Sequence, residues 1–224
     1  LTVPVMAANL TNAGKVELLG ILQGEGNGVT DEYLAKATTR IQGAVLLLRL
    51  IGKEDEALAY AGGDNFDDVV GNEWFHPITA YLKANPQHGF VGYEDGTFKP
   101  LKVMSAAEFY KVLLTILGYK QGEDYTWAQV ADFAEGLGLV ALENPTAGVT
   151  NADMADAILE ALQADMKSGV ALLDSLIADG IISSADANAA GLVTELGIVS
   201  AVPTNADEIT VTFSQPVEQL PLSA

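Results

Sequence analysis

The chain has 224 residues, and its 11 lysines and arginines stand against 30 aspartates and glutamates, so the formal net charge is −19. Hydrophobic residues make up 49% of the sequence, which excludes a disordered acidic tail and allows one large domain or two small ones. Nucleic acid and anionic membranes are excluded as partners, because both need a clustered basic footprint that so few scattered cations do not supply.

Scarce residue types exclude further chemistry. Cysteine is absent, which removes disulfides, cysteine nucleophiles and cysteine-based metal sites. With only two histidines, His76 and His88, we expect no zinc site and no Ser-His-Asp hydrolase. No motif presents a carboxylate pair at a recognisable site, so we expect no enzyme. The longest apolar stretch, Gly43–Leu48, is far too short for a transmembrane helix.

The N-terminal extension, residues 1–9, admits two interpretations. Leu1–Ala8 is apolar and carries small residues at Val5 and Ala7, a spacing typical of the end of a secretory signal. The alternative is an ordinary extended N-terminus.

Residues 10–62 are predicted to form a first unit of two helices joined by a loop. The first helix is indicated by apolar residues at a helical period: Val16, Leu18, Leu19 and Ile21. The loop holds the glycine-rich stretch Gly24–Gly28, whose spacing fits neither a dinucleotide site nor a P-loop. The second helix begins at a capping box of Thr39 and Gln42, in which the two side chains satisfy backbone N–H groups of the first turn. Gly52 is predicted to end this helix.

Residues 63–120 are predicted to repeat this order as a second unit. Its first helix is indicated by residues at helical spacing: Trp74, Ile78, Tyr81 and Leu82. A loop with an Asp-Gly turn signal follows and ends at Pro100. Ser105 and Glu108 then form a second capping box, and Gly118 lies as far beyond it as Gly52 lies beyond the first.

Residues 121–200 are predicted to form a third unit with a helical extension. The unit combines a helix at Trp127, Val130, Phe133 and Ala134 with a capping box of Thr150 and Asp153. Gly169–Ile182 and Ala185–Leu196 indicate two further helices. Residues 201–224 are interpreted as a linker and the first strand of a following β domain, because Ile209–Phe213 alternates apolar and polar residues.

The second unit carries a motif of known type. It closely resembles the surface-layer homology (SLH) repeat, whose usual pattern is Phe-x-Asp, Trp, Gly-Tyr-x-Asp-Gly-x-Phe-x-Pro and Ile-Thr-Arg-Ala-Glu. The matching residues are Phe66–Val69, Trp74, Ile78, Gly89–Phe98, Pro100 and Met104–Phe109. The first and third units match only at the capped helix and the adjoining glycine turn. Residues 201–216 resemble the start of an immunoglobulin-like module.

The resemblance implies a mainly α fold, in which three helix-loop-helix repeats form a pseudo-threefold, three-pronged module with a short C-terminal β segment. It also implies a secreted protein of the bacterial cell wall or surface layer. Such modules anchor exported proteins by binding secondary cell-wall polysaccharide, often pyruvylated, in grooves between the prongs, and other surface-layer subunits are implied partners. The arginine of the motif faces the acidic group, and here that position holds Arg40, Ala106 and Asn151 in the three units.

The resemblance and the residue chemistry together predict a carbohydrate site, with no catalytic residue and no metal ligand. Its residues are Arg40, Trp74, Gly92, Tyr93, Asp95, Gly96 and Trp127. Arg40 is either a ligand-binding group or a solvated charge, and its position at a helix start, where the helix dipole disfavours a cation, favours the first. The two tryptophans either pack in the core or stack on sugar. The turn at Gly92–Gly96 either presents backbone groups to sugar or is only a tight turn.

Two alternatives stay open. The acidic residues Asp64, Asp67, Asp68 and Glu73 are interpreted as a solvated loop, with weak Ca²⁺ binding as the alternative and no other cofactor expected. Because two of the three motif arginines are replaced, the chain is either a wall anchor or a degenerate SLH module that acts in surface-layer lattice assembly through protein–protein contacts.

Overall fold

The computed structural model describes residues 10–142, 148–193, 198–205 and 208–213, with side chains in the first two ranges. The predicted N-terminal extension lies outside the described residues. The chain is mainly helical, as expected. Its helices are α1 (Asn12–Leu18), α2 (Asp31–Leu34), α3 (Arg40–Leu50), α4 (Glu54–Leu58), α5 (His76–Ala84), α6 (Ala106–Ile116), α7 (Val130–Gly136), α8 (Asn151–Gln163), α9 (Leu172–Ala178) and α10 (Ser184–Ala189). Short 3-10 helices span Pro86–His88 and Trp127–Gln129.

The three predicted capping boxes start the three longest helices, α3, α6 and α8. The backbone N–H groups of Thr39, Ser105 and Thr150 donate to the side chains three residues further on, at 2.9, 2.9 and 2.8 Å. Gly52 and Gly118 follow α3 and α6 with φ of +65° and +91°, a conformation in which a side chain is strained. The capped helices and their glycine stops are therefore confirmed.

The segments that lead into these three helices meet in a closed ring of backbone hydrogen bonds. Thr38 N–H donates to the Val149 carbonyl at 2.8 Å, Val149 N–H donates to Met104 at 3.1 Å, and Met104 N–H donates to Thr38 at 2.9 Å. Just inside the ring, a side chain on Gly43 would place its Cβ 2.7 Å from Met104 Sδ. The starts of α3, α6 and α8 are thus locked together around one tightly packed point.

Helix ends differ from the sequence pattern where local geometry overrides apolar spacing. The pattern extends the first helix to Ile21, but α1 ends at Leu18, and Gly20 follows with φ of +76°. The pattern starts a helix at Trp74, whereas α5 begins at His76, and Pro77 is favoured in a first turn. The pattern carries the last helix to Leu196, but α10 ends at Ala189, and residues 194–197 are outside the described part.

The C-terminal segment contains two antiparallel strands, β1 (Ile198–Asn205) and β2 (Glu208–Phe213). β2 lies over the predicted strand, but β1 falls mostly where a linker was predicted. Pro203 favours a linker there, because proline has no backbone N–H to donate to the hydrogen bonds of a sheet. In the structure Pro203 pairs opposite Ile209 with a register irregularity beside it, and a strand edge tolerates the missing N–H.

Asn151, the first residue of α8, ties the third unit to the first. It is 2% exposed, its Nδ2 donates to the Tyr33 carbonyl at 2.9 Å, and its Oδ1 accepts from the Thr38 hydroxyl at 2.6 Å. We expect Asn151→Ala to lower the free energy of unfolding by about 1–3 kcal/mol, because both partners stay buried without a hydrogen bond. Urea unfolding followed by circular dichroism measures this, with the exposed Asn188→Ala as the control. Equal losses in the two variants would contradict the assignment.

Candidate functional site

A cavity of about 200 Å³ lies beside the start of α3, and we call it the Arg40 groove. The residues that define it are Arg40, Gly92, Tyr93, Glu108, Lys111 and Trp127. They come from all three predicted units. The groove therefore collects four of the seven predicted site residues: Arg40, Gly92, Tyr93 and Trp127.

Arg40 is buried, so the interpretation of it as a solvated charge is wrong. Only 7% of the residue is exposed, because its guanidinium carbon lies 4.9 Å from the ring centres of both Tyr93 and Phe98 and 5.5 Å from Phe90. The backbone places it there, since Arg40 N–H donates to the Lys102 carbonyl at 2.8 Å. Rings from the second unit thus enclose a cation from the first.

The hydrogen-bonding capacity of this guanidinium is largely unfilled. Its Nη1 is 3.5 Å from Glu108 Oε1, which is the limit of a hydrogen bond, and its Nε is buried with no hydrogen-bond partner among the described residues. Burial lowers the pKa of Arg40, while Tyr93 and Glu108 oppose that effect. A buried donor without a hydrogen-bond partner is costly in free energy.

Glu108 is held ionised by several donors. Burial opposes its ionisation, but hydrogen bonds from Tyr93, Ser105 and Lys102, together with the charge of Arg40, lower the pKa of Glu108 to about 2. Lys102 Nζ lies 3.1 Å from Glu108 Oε1 and 3.0 Å from the Tyr93 hydroxyl. This carboxylate therefore accepts hydrogen bonds from Tyr93 and Lys102, and it fixes the orientation of the Tyr93 side chain.

The groove carries a local excess of positive charge in an acidic chain. Arg40 and Lys111 line the groove with Glu108, Lys102 Nζ pairs with that carboxylate at 3.1 Å, and Lys99 Nζ, 4.2 Å from the Tyr93 ring centre, pairs with Asp95 at 3.0 Å. Four of the 11 lysines and arginines are therefore gathered here. Such a concentration attracts an anion locally although the whole chain repels one.

The two tryptophans are both exposed, so the interpretation of them as core residues is wrong. Trp127 is 49% exposed and lines the Arg40 groove at the start of a 3-10 helix. Trp74 is 58% exposed, sits edge-on to Phe75 with ring centres 5.5 Å apart, and lies outside the groove. The structure thus separates these two predicted sugar-stacking residues, and sugar binding by Trp74 stays a prediction.

The predicted turn residues shape the loop that carries Tyr93. Tyr93 N–H donates to the Thr97 carbonyl at 2.8 Å, and Gly96 N–H donates to the Tyr93 carbonyl at 3.0 Å. A Cβ on Gly92 would lie 2.6 Å from Phe66 Cε1. Hydrogen bonds from Thr97 and Lys99 lower the pKa of the exposed Asp95 to about 2. These contacts give the turn residues a structural role, and their direct contact with sugar stays a prediction.

Gly96 is expected to contribute to the stability of the fold whether or not the turn binds sugar. Its φ is +77°, and a Cβ there would collide with Asp67 Oδ2. We expect Gly96→Ala to cost about 1–2 kcal/mol of stability from the left-handed conformation alone. Thermal unfolding measures the loss, with Gly63→Ala, where a Cβ meets nothing within 4 Å, as the control. An unchanged unfolding midpoint for Gly96→Ala would contradict this account.

Sequence reasoning missed Lys111 and Lys102 and assigned Glu108 only a capping role. A usable signal was present, because residues three apart share a helix face and Lys111 follows Glu108 by three. The positions that match Arg40 in α6 and α8 are Ala106 and Asn151, both buried. Neither supplies a cation.

Two of the four acidic residues considered for calcium make side-chain contacts within the fold. Asp68 accepts hydrogen bonds from the backbone N–H groups of Phe98 and Lys99 at 2.7 and 2.8 Å, and Asp64 pairs with Lys83 at 2.9 Å. Within the described ranges, no group of three or more His, Cys, Asp or Glu residues is arranged to hold a metal ion. Weak Ca²⁺ binding by this cluster stays a prediction.

Comparison with known proteins gives relatives from bacterial surfaces. The chain is 28% identical over 173 residues to the middle cell wall protein of Brevibacillus brevis, which covers 75% of this chain and 16% of that protein. It is 30% identical over 127 residues to a surface layer protein of Brevibacillus choshinensis, which covers 56% and 11%. It is 32% identical over 90 residues to a cellulosome-anchoring protein of Acetivibrio thermocellus, which covers 38% and 20%. The chain thus spans at most about a fifth of these relatives.

These names confirm the expected location at the bacterial cell surface, in the cell wall or surface layer. They are names of structural and anchoring proteins. Among the residues that the structure describes, no helix is long and apolar enough to cross a membrane.

One further match concerns an enzyme family. The family described as X-prolyl dipeptidyl aminopeptidase PepX, N-terminal, matches residues 80–181, which is less than half of the chain. Those residues contain one histidine, His88, and its Nε2 lies 3.2 Å from the Tyr81 hydroxyl, with the two rings stacked. A serine hydrolase needs its histidine beside a serine. The environment of His88 therefore lends the match no support as a catalytic site.

Proposed function

We propose that the chain is a non-catalytic wall-anchoring module that binds an acidic secondary cell-wall polysaccharide in the Arg40 groove. The observation that carries this proposal is the buried guanidinium of Arg40, which lines an open groove with its hydrogen-bonding capacity unfilled. Burial of the Arg40 guanidinium costs solvation free energy, and an anion bound in the groove would offset part of that cost.

The groove suits a carboxylate-bearing sugar such as a pyruvylated residue. A guanidinium offers a planar pair of donors to a carboxylate, and the surrounding aromatic rings restrict the orientation of Arg40. The exposed ring of Trp127 offers an apolar wall for the face of the sugar, with a polar N–H at its edge. Charge and stacking together would select an acidic glycan over a neutral one.

The proposal includes three SLH-like repeats in a pseudo-threefold arrangement, over residues 10–62, 63–120 and 121–200. The ring of hydrogen bonds among Thr38, Met104 and Val149 supports it, because each member occupies the same place before a capped helix. In the same proposal, residues 201–224 begin an immunoglobulin-like module, and the whole chain is one part of a longer surface-layer protein that contacts other subunits.

Co-sedimentation with purified cell-wall sacculi tests the function. The sacculi come from the bacterium that carries the protein, and half of them are extracted with acid to remove the secondary polysaccharide. We expect the chain to sediment with intact sacculi and to stay in solution with extracted ones. Binding to neither preparation would overturn the anchor function, and equal binding to both would overturn the assignment of the polysaccharide as ligand.

Lattice assembly through protein–protein contacts is the second candidate. The burial of Ala106 and of the hydrogen-bonded Asn151 favours it, because two of the three family positions offer no cation to a glycan. This candidate predicts self-association of the chain, measured by analytical ultracentrifugation, with no dependence on sacculi.

A further inference from the structure

Lys111 is a second cation of the Arg40 groove, and no carboxylate of the described residues forms an ion pair with it. It lies on α6 one turn after Glu108, is half-buried, and its Nζ donates to the Gly89 carbonyl. The charged group that acts on it is another cation, Arg40, rather than a carboxylate. Lys111 also lines an adjoining cavity of about 470 Å³ with Lys120, so it stands between two open spaces.

Resting on the glycan-binding function above, we propose that Lys111 is a second binding residue for the acidic group of the sugar, which binds between Lys111 and Arg40. Two cations held close together in a partly dry groove repel each other, and one carboxylate placed between them relieves that repulsion. The proposed ligand class is therefore a sugar with a carboxylate. As a consequence, the affinity depends on the protonation of Lys111 and falls at alkaline pH.

The groups named here that face Lys111 keep their charge state in mildly alkaline solution, so Lys111 is the group among them that titrates there. Glu108, from its own helix, is ionised down to pH of about 2, and burial raises the pKa of Tyr125, from the segment before α7, to about 12. Arg40, from α3, is a guanidinium and stays charged. Burial, with the repulsion from Arg40, lowers the pKa of Lys111 to about 8.

Three other groups around Lys111 leave this assignment unchanged. The hydrogen bonds and charges of Tyr93 and Glu108 raise the pKa of Lys102 despite its partial burial, so it stays protonated. Burial lowers the pKa of His88, next to Gly89, so its imidazole is neutral in the alkaline range in which Lys111 titrates. Lys120 lines the adjoining cavity and pairs with Glu123 at 3.5 Å.

The sign of the pH dependence follows from these charges. A bound carboxylate stabilises the ammonium form, so the pKa of Lys111 is higher in the complex than in the free protein. Below pH of about 8 both states are protonated and the affinity is constant. Above that pH the free protein loses the proton and must regain it on binding, so the affinity falls by up to about tenfold per pH unit.

Binding isotherms of the full chain on intact sacculi between pH 6.5 and 9.5 test the inference. Lys111→Arg keeps its charge across this range, so we expect binding at neutral pH with a flat profile. Lys111→Gln should bind about tenfold more weakly at pH 7, also with a flat profile. Lys83→Gln is the matched control, because Lys83 also donates to a backbone carbonyl, that of Asn65, but lies outside the groove, and it should keep the wild-type profile.

The outcomes separate this inference from the proposed function. A wild-type affinity that falls above pH 8, together with a flat Lys111→Arg profile, supports it. Wild-type binding that is flat over the range, or a pH dependence that persists in Lys111→Arg, overturns it and leaves the anchor function intact. Absence of wild-type binding at every pH overturns the proposed function itself.

Discussion

Arg40→Met is expected to weaken binding to intact sacculi by about 10- to 150-fold while leaving the fold as stable as before. A hydrogen bond to a charged group contributes about 1.5–3 kcal/mol, and each 1.4 kcal/mol is a factor of ten. Stability is expected to hold because methionine fills the space among Phe90, Tyr93 and Phe98, and because the buried partner that remains, Glu108, is not left as an uncompensated charge. Glu108 keeps Lys102 and Tyr93 as donors.

Sedimentation isotherms measure the affinity, and urea unfolding measures the stability. The matched control is Arg49→Met, at the other end of the same helix, where the guanidinium makes two hydrogen bonds of 2.7 and 2.8 Å to Glu54. We expect this control to lose stability and keep binding, which is the opposite pattern. Unchanged binding by Arg40→Met would show that the groove does not hold the glycan.

Phe98→Ala is expected to lower the free energy of unfolding by about 3–5 kcal/mol, the cost of emptying a buried aromatic site. Phe98 is completely buried, its ring centre lies 5.1 Å from Phe66 and 6.1 Å from Phe90, and Arg40 packs on its face. Its backbone N–H is held by Asp68 at 2.7 Å. Loss of this ring removes a surface on which Arg40 packs and leaves a cavity in the core.

Chemical denaturation of Phe98→Ala is compared with that of Phe133→Ala in the third unit. Phe133 is only partly buried and packs on Tyr119 and Tyr125, so we expect a smaller loss there. If Phe133→Ala cost as much as Phe98→Ala or more, the complete burial of Phe98 would not account for its contribution to stability.

The helix starts could be predicted from sequence because their causes are local. A capping box and a glycine stop act within a few residues, and these features appear at α3, α6 and α8 as predicted. The burial of Arg40 could not be predicted in this way. It depends on Tyr93 and Phe98, more than 50 residues further along the chain, and the spacing of apolar residues within a helix does not indicate that contact.

The exposure of the two tryptophans could not be predicted from local sequence patterns either. Both were placed by apolar spacing, which favours a core position, yet both precede the regular turns of their helices and face solvent. Lys111 was overlooked because a lysine on a helix face reads as solvated, and its burial follows only from the Gly89 loop that closes over it. Long-range packing, rather than local pattern, therefore decides which side chains form the groove.

The indole N–H signals of the two tryptophans offer the most direct test of the central claim, that an acidic wall glycan binds in the Arg40 groove. The measurement is a two-dimensional NMR titration of the ¹⁵N-labelled chain with soluble polysaccharide fragments released from sacculi by muramidase. We predict that the Trp127 signal shifts in a saturable way, with assignment of the two signals by Trp74→Phe. A shift of Trp74 alone, or no shift of Trp127 at saturation, would contradict the account.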